Sequence, residues 1–400
     1  MVRRNGGFIG TDGLDAPDPP TAITPTAGDA SVSVAFTAPS DVGASDITGF
    51  VAQVSINDTD YSAGSNTGTS SPIVVSSLTN GTAATAKVWA INAFGTSAPS
   101  DASASFSPAQ FARGVFAGGE YSSSNVIDYI NINSTGNATD FGDLAAANYS
   151  LAGFSSSIRG LFAGGFESSN SNRIQYITIA STGNTTDFGN LTVARSGNGG
   201  LSSSTRGISA GGYGSGQENT IDYVTIASAG NATDFGNLTV ARNSLGNAAS
   251  STRGIFGGGS TGSNSNVIDY ITIGSTGNAT DFGDLSVTRF KVSGTSNGTR
   301  GVFGGGDTGS PSNVIDYITI ASTGNATDFG NLTVAREGAP ATSATGIDRG
   351  VFGGGGTGGN GFDVIDYITI ASTGNATDFG NLTVARSHGA ALSSAHGGLS

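Results

Sequence analysis

Residues 314–336 read VIDYITIASTGNATDFGNLTVAR, and residues 364–386 repeat those 23 residues without a change. Just upstream of each copy stands Arg-Gly followed by apolar residues and glycines. That pair recurs at Arg113, Arg159, Arg206, Arg253, Arg300 and Arg349, at spacings of 46, 47, 47, 47 and 49 residues. Each unit then carries a tyrosine (Tyr129, Tyr176, Tyr223, Tyr270, Tyr317, Tyr367) and an Asp-Phe-Gly, whose phenylalanines are Phe141, Phe188, Phe235, Phe282, Phe329 and Phe379. Six copies of one unit therefore fill residues 109–400. A fixed period of this length marks a repeat architecture.

Within a copy the pattern is that of short strands. RGVFGGG is an apolar strand closed by glycines, and VIDYITIA is β-branched with one aromatic. STGN is a turn in which glycine and asparagine tolerate positive φ. ATDFGNLTVAR reads as a third strand and a small-residue stretch such as SHGAALSS as a fourth. No 3.6-residue periodicity appears. Glycine contributes 65 residues and charged residues only 11%, but the 36% hydrophobic content recurs in register, which argues against disorder. There is no cysteine, hence no disulfide and no thiolate metal site. The start, MVRRNGGFIGTDG, lacks the apolar stretch of a secretory signal, and no run approaches the roughly 18 apolar residues that span a bilayer. A net charge of −13 disfavours nucleic acid and membrane insertion.

The repeat resembles the kelch repeat: a small-residue strand (HGAAL), a strand ending in a diglycine, a strand carrying Tyr, and an aromatic in the last strand. It differs in having Phe where kelch repeats usually carry Trp. Four strands per period near 47 imply propeller blades. The first copy lacks a small-residue strand of its own, and residues 387–394 supply a surplus one. Pairing the two would close a six-bladed ring with no exposed edge. Residues 16–108 differ in composition and resemble a fibronectin type III domain through Leu78, Gly81, Thr82, Val88, Ala90, Asn92 and Gly95. The corner tyrosine of that family is replaced by Ala84 and the buried tryptophan by Phe36. The expected fold is thus all-β: an N-terminal arm (1–15), a fibronectin type III-like β-sandwich (16–108) and a six-bladed kelch-like β-propeller (109–400).

Charges balance across the repeats. Six Arg-Gly arginines and five at the Val-Ala-Arg position (Arg195, Arg242, Arg289, Arg336, Arg386, with Asn148 in the first copy) meet six Asp-Phe-Gly aspartates and five in Ile-Asp-Tyr (Asp128, Asp222, Asp269, Asp316, Asp366, with Gln175 in the second). Structural ion pairing is expected, including pairs made by the Arg-Gly arginines. The spacing of a calcium loop is missing, so no metal and no cofactor is expected. Galactose-oxidase-like chains need copper ligands and a cysteine, whereas this chain has only His388 and His396. Both are read as strand or terminus residues. Sialidase-like propellers need convergent arginines, which a once-per-blade arginine disperses. Asp-Phe-Gly without a phosphate loop carries no kinase meaning. Asn-x-Thr sites (Asn137, Asn190, Asn237) read as turn chemistry. No catalytic residue is assigned, and a non-enzymatic protein is expected.

Copies agree in STGN but differ in the loop after the diglycine: EYSSSN, FESSNSN, YGSGQENT, STGSNSN, DTGSPSN, GTGGNGFD. The segments leading into the small-residue strands also differ and fall on the same face. That face is the expected binding surface, with Glu120, Tyr121, Phe166, Glu167, Tyr213, Glu218, Asp307, Phe362 and Asp363 as its candidates. The basic, apolar arm, with Arg3, Arg4, Phe8 and Ile9, is similar to leading segments of virion proteins of marine cyanophages. This resemblance implies a virion-exterior fibre, spike or decoration protein that docks on other virion proteins of head, neck or tail. It would present the propeller to a host surface glycan or protein. The alternatives are a bacterial surface adhesin and a carbohydrate-active propeller enzyme.

Overall fold

The structure, a computed structural model, describes residues 15–28, 30–108, 112–120, 124–344 and 348–394. Among them every regular element is a strand. The chain divides into two compact units, Met1–Phe111 and Ala112–Ser400. The calls on Arg3, Arg4, Phe8, Ile9, Tyr121 and His396 lie outside the described residues.

The first unit contains β1 (Thr21–Gly28), β2 (Ser31–Thr37), β3 (Ile47–Ser55), β4 (Gly64–Gly68), β5 (Ile73–Ser76), β6 (Thr85–Asn92) and β7 (Gly95–Thr96). They form two antiparallel sheets, ordered β1-β2-β5 and β4-β3-β6-β7. Alternation of period two decides which side chains turn inward: Val32, Val34 and Phe36 from β2, Phe50, Ala52 and Val54 from β3, Ala86, Val88 and Ala90 from β6. Phe36 packs its ring 4.7 Å from that of Phe50. Ala84 and Phe106 exchange backbone hydrogen bonds of 2.8 and 2.9 Å.

The stretch TAKVWAINAFGTSAPS is not one continuous strand. It turns after Asn92, and serines spaced by three then line β6. The amides of Ser97, Ser100 and Ser103 donate to the carbonyls of Ala90, Val88 and Ala86 at 2.9–3.0 Å. Their hydroxyl oxygens accept the amides of the same three residues at 2.9–3.0 Å. A serine side chain thus does at every third residue what a ladder partner does at every second, and covers a sheet edge without extending it.

The second unit holds six antiparallel sheets of strands lettered a to d. In the second sheet these are Ala152–Ser155, Arg159–Ala163, Arg173–Thr178 and Thr186–Asn190, consecutive in the chain. The first sheet is composite. Its b, c and d strands are Arg113–Ala117, Val126–Asn131 and Thr139–Asp143, while its a strand is Ala390–Ser393, paired Ala390↔Ala117 to Ser393↔Gly114. The pairing expected between residues 387–394 and the Arg113 strand is therefore present, over a shorter span. The six a strands touch in cyclic order: Ala152–Ser155, Gly199–Ser202, Gly246–Ala249, Ser293–Ser296, Ala341–Ala344, Ala390–Ser393, and back to Ala152–Ser155.

Polar contacts join neighbouring sheets at several levels. At the d strand, the STGN segment of one copy lies on the Asp-Phe-Gly of the copy before it. Gly183 donates to Phe141 O (2.7 Å), Thr185 to Asp143 O (2.9 Å), and Asn184 Oδ1 accepts Asp143 N (2.9 Å). The contact recurs at every junction, with Gly136 closing onto Phe379. It also explains the last letter of Asp-Phe-Gly. A Cβ on Gly142 would stand 2.4 Å from Gly183 O, at a φ of +146°.

Between the sheets lie buried ion pairs. Arg195–Asp222, Arg242–Asp269, Arg289–Asp316, Arg336–Asp366 and Arg386–Asp128 meet at 3.1, 3.1, 2.8, 2.9 and 2.6 Å with at most 1% side-chain exposure. Each arginine comes from one copy and its aspartate from the next. Burial pulls the guanidinium groups below their ordinary value and the facing aspartate opposes it. At the remaining junction the arginine is Asn148 and the aspartate Gln175, so both charges are absent together. Gln175 Oε1 accepts Ala145 N at 2.9 Å, as Asp222 accepts Thr192 N at 3.1 Å. Asn148 donates to Gly164 O at 3.0 Å, as Arg289 does to Gly305 O at 2.9 Å.

The Arg-Gly arginines do not pair with the repeated aspartates, contrary to expectation. Each lies on the tyrosine of its own copy at 4.3–4.5 Å, and that ring meets the phenylalanine edge-on at 6.0–6.1 Å. Its Nη1 donates to an isoleucine carbonyl of the next copy, Arg253 to Ile320 at 2.9 Å for example. The Asp-Phe-Gly aspartates stand exposed near the start of the outermost strand, where water solvates them. A further set of contacts runs along the a strands. Ser155, Ser202, Ser296, Ser343 and Ser393 each donate Oγ to the carbonyl of the equivalent residue one copy back, at 2.7–2.8 Å. Ala249 stands at the sixth place.

Two substitutions test this reading by denaturant melts. Arg242→Ala should cost about 3–5 kcal/mol by stranding Asp269, and Arg242→Asn with Asp269→Gln should recover most of that loss. A single-variant loss within error would remove the pair from the stability account. Ala249→Ser should gain about 0.5–1.5 kcal/mol by adding a sixth hydroxyl donor, directed at Ser202 O. A loss instead would mean that the methyl group packs better than the hydroxyl bonds.

Candidate functional site

The segments that carry the chain from a d strand into the next a strand cross one end of the ring of a strands. At its turning point each takes the left-handed conformation: Ser150 (φ 54°), Gly197 (66°), Ser244 (54°), Lys291 (55°), Gly338 (58°) and His388 (55°). For the four that are not glycine this costs about 1–2 kcal/mol apiece. A closed hydrogen-bond circuit holds them there. Gly197 N donates to Ser150 O (2.7 Å), Ser244 N to Gly197 O (2.6 Å), Lys291 N to Ser244 O (2.8 Å), Gly338 N to Lys291 O (3.0 Å), His388 N to Gly338 O (2.8 Å) and Ser150 N to His388 O (2.6 Å). The circuit rims a polar cavity of about 100 Å³ that all six copies line, Asn198, Asn247 and Pro340 among them.

Just outside the rim, these segments pair with the loops after the diglycines. Tyr149 pairs with Phe166, Ser196 with Tyr213, Asn243 with Ser260, Phe290 with Asp307, Glu337 with Gly356 and Ser387 with Glu120. The two sets of diverse segments thus lie against each other on one face. Lys291 Nζ meets Glu337 Oε1 at 2.9 Å and passes 5.2 Å from the Phe290 ring. His388 Nδ1 lies 2.9 Å from Glu120 Oε2 and 2.8 Å from the Ser387 hydroxyl. That hydrogen bond holds the Glu120 carboxyl below its ordinary range, against the opposing effect of burial.

Of the sequence candidates, Glu120, Phe166, Tyr213 and Asp307 are pairing positions on this face, and Tyr213 is 45% exposed. Glu167 stands 3.6 Å from Arg173, and Asp307 accepts Gly309 N at 2.6 Å. Glu218 is half-buried and acts on Arg195 through its charge. Phe362 and Asp363 are not loop residues, as expected, but belong to the c strand Asn360–Thr369, which folds back on Gly356–Thr357. His388 precedes its strand rather than lying in it. Sequence reasoning missed the rim residues Ser150, Gly197, Ser244, Lys291 and Gly338. Their one signal was a constant offset after each Arg195-type position, hidden because the residue type changes from copy to copy.

Ser387 and Glu120 both converge on His388 Nδ1, whereas a nucleophile relay needs the carboxylate on one ring nitrogen and the hydroxyl on the other. His388 Nε2 is buried, and a Cβ on Gly338 would lie 2.8 Å from it. Among the described residues no group of three His, Cys, Asp or Glu is placed to hold a metal. No protein-family model matches the chain, and no curated protein matches it.

The Glu120–His388 contact fixes a pH dependence. A carboxyl held lower when folded contributes stability above its unfolded value of about 4.3, and that contribution is lost as pH falls through the folded value. Melts between about pH 3 and 6 should therefore show a shallower acid limb for Glu120→Gln, by less than about 1 kcal/mol because Glu120 is 41% exposed. Superimposable limbs would dissociate the contact from stability.

Proposed function

We propose that this chain is a non-enzymatic adhesion and structural protein of the bacteriophage virion exterior. In this reading a fibronectin type III-like sandwich and a six-bladed, kelch-like propeller present one diversified face. The observation that carries the reading is the contrast between junctions and face. The STGN contact repeats at every junction and the buried ion pair at five of the six, while the rim and its flanking loops change residue type from copy to copy. A scaffold held constant beneath a varied surface is how recognition surfaces are built.

The propeller reading is supported by six four-stranded antiparallel arrangements, by a strands that touch in cyclic order, and by a first sheet assembled from both ends of the unit. Support for the sandwich comes from its three-plus-four strand order around one alternating core. The virion assignment rests on the sequence resemblance alone. Docking is assigned to the arm, where Arg3 and Arg4 would meet acidic surface and Phe8 and Ile9 would enter pockets beside a partner's sheet edge. A bacterial surface adhesin is the competing outcome.

Purified particles settle the matter. The full chain should be found on them, and a variant without residues 2–12 should fold and stay soluble yet be missing from them. Normal incorporation of the truncated chain would move docking to the propeller face. Absence of the full chain from particles would overturn the virion reading.

A further inference from the structure

One sector of the rim differs from the rest. Where the sixth, first and second copies meet, the 41%-exposed Glu120 is held by His388 at 2.9 Å. Beside it the Tyr149 and Phe166 rings pack at 5.3 Å, tied by backbone bonds of 2.8 and 3.3 Å. Burial, and after it the charge of Glu120, push the Tyr149 phenol up. Ser150, next in the chain, bonds to His388 O and lines the cavity. The corresponding pairs elsewhere are Ser196 with Tyr213, Asn243 with Ser260, Phe290 with Asp307 and Glu337 with Gly356. Among the described residues, only this sector joins a packed pair of aromatics, through Ser150, to the Glu120–His388 contact. In a unit whose fifth and sixth copies share 23 identical residues, chemistry gathered at one junction is not a by-product of repetition.

The groups match a ligand with an apolar face and a rim of hydroxyls. An aromatic pair accepts the C–H face of a sugar ring, and an ionised carboxylate can accept two hydroxyls at once. An anionic ligand is disfavoured on electrostatic grounds. Glu120, Glu167, Glu218, Asp307, Glu337 and Asp363 belong to this face, against Arg173, Lys291 and His388, and the chain carries −13 overall. A polyanion is repelled by that field. The cavity that Ser150 lines has a volume of about 100 Å³. We infer that Glu120, Tyr149, Phe166 and Ser150 form a site for the neutral hexose end of a surface glycan, whose terminal ring sits on the aromatics and turns its hydroxyls to Glu120 and the cavity mouth. This inference rests on the adhesion reading and names its ligand class.

Calorimetric titration of the full chain tests it, with neutral hexose-terminated oligosaccharides and with the same oligosaccharides capped by a carboxylated sugar. At least one neutral oligosaccharide should bind, and its capped form should bind at least about tenfold more weakly. Tyr149→Ala and Glu120→Gln should each weaken binding by about tenfold or more in protein that remains folded at the temperature of the titration, while Asn243→Ala and Asp307→Asn, elsewhere on the rim, should leave it unchanged. Should Glu120→Gln unfold the chain, Tyr149→Ala and Phe166→Leu decide. No binding of neutral sugars at millimolar concentration, preference for the capped forms, or binding that survives Tyr149→Ala would each overturn the inference. Particle incorporation is measured separately, so a chain that assembles but ignores sugars fails only here.

Discussion

Five guanidinium groups with almost no access to solvent each face a carboxylate donated by the neighbouring sheet, and the second unit is organised around that contact. Two charges taken out of water lose several kcal/mol of hydration each, which is regained only if every remaining hydrogen-bond site is filled. Here the carboxylate side is filled, its second oxygen taken by a Thr or Ser hydroxyl from the same copy as the arginine, Thr192 for Asp222 and Ser286 for Asp316, while Nε and Nη1 of Arg195, Arg242 and Arg336 have no hydrogen-bond partner among the described residues. A displaced sheet would leave both ions unpaired in a dry interior. The penalty for misalignment is therefore far larger than the net worth of the contact when made. Such a pair acts as a register device. The Asn148–Gln175 junction agrees with this, since it keeps the geometry of the polar contacts while dispensing with both charges.

The arrangement separates constancy from variety. STGN, the Asp-Phe-Gly glycine, the Arg-Gly guanidinium that reaches the next copy's isoleucine carbonyl and the buried ions all serve contacts between copies, so a change in one requires a matched change in its neighbour. The turning residues at the rim are held through their amides and carbonyls instead. Backbone groups are the same for every residue type, so Ser, Gly, Lys and His can occupy equivalent places in the circuit, each at the modest cost of a left-handed conformation. Diversity is cheap where the backbone does the holding.

The repeat, its strands and the pairing of residues 387–394 with the Arg113 strand were legible because each depends on local pattern. Strand periodicity, glycine at strand ends and a surplus segment can be read one window at a time. Which charges meet was not legible. Arg195 and Asp222 are 27 residues apart and belong to different copies, and counting eleven of each sign could not separate the buried set from the set stacked on tyrosine. The left-handed rim was missed for a related reason, as positive φ is foreseen from glycine and asparagine, not from Lys291 or His388. In the first unit, strand-like composition hid the serine strap, because serine imitates a ladder partner with its side chain.

The composite first sheet has a consequence in time. Arg113 and Ser394, which bond at 2.9 Å, are 281 residues apart. At a synthesis rate of roughly 5–20 residues per second, the Arg113 strand leaves the ribosome tens of seconds before the strand that covers its inner edge. Through that interval five sheets can assemble while the first offers an open edge of Gly114, Val115, Phe116 and Ala117. In a polysome, the nearest complementary strand belongs to the molecule ahead. Exchange of the last strand between neighbouring chains would give joined rings with every contact satisfied, so the same feature that seals one ring sets a concentration limit on making many at once.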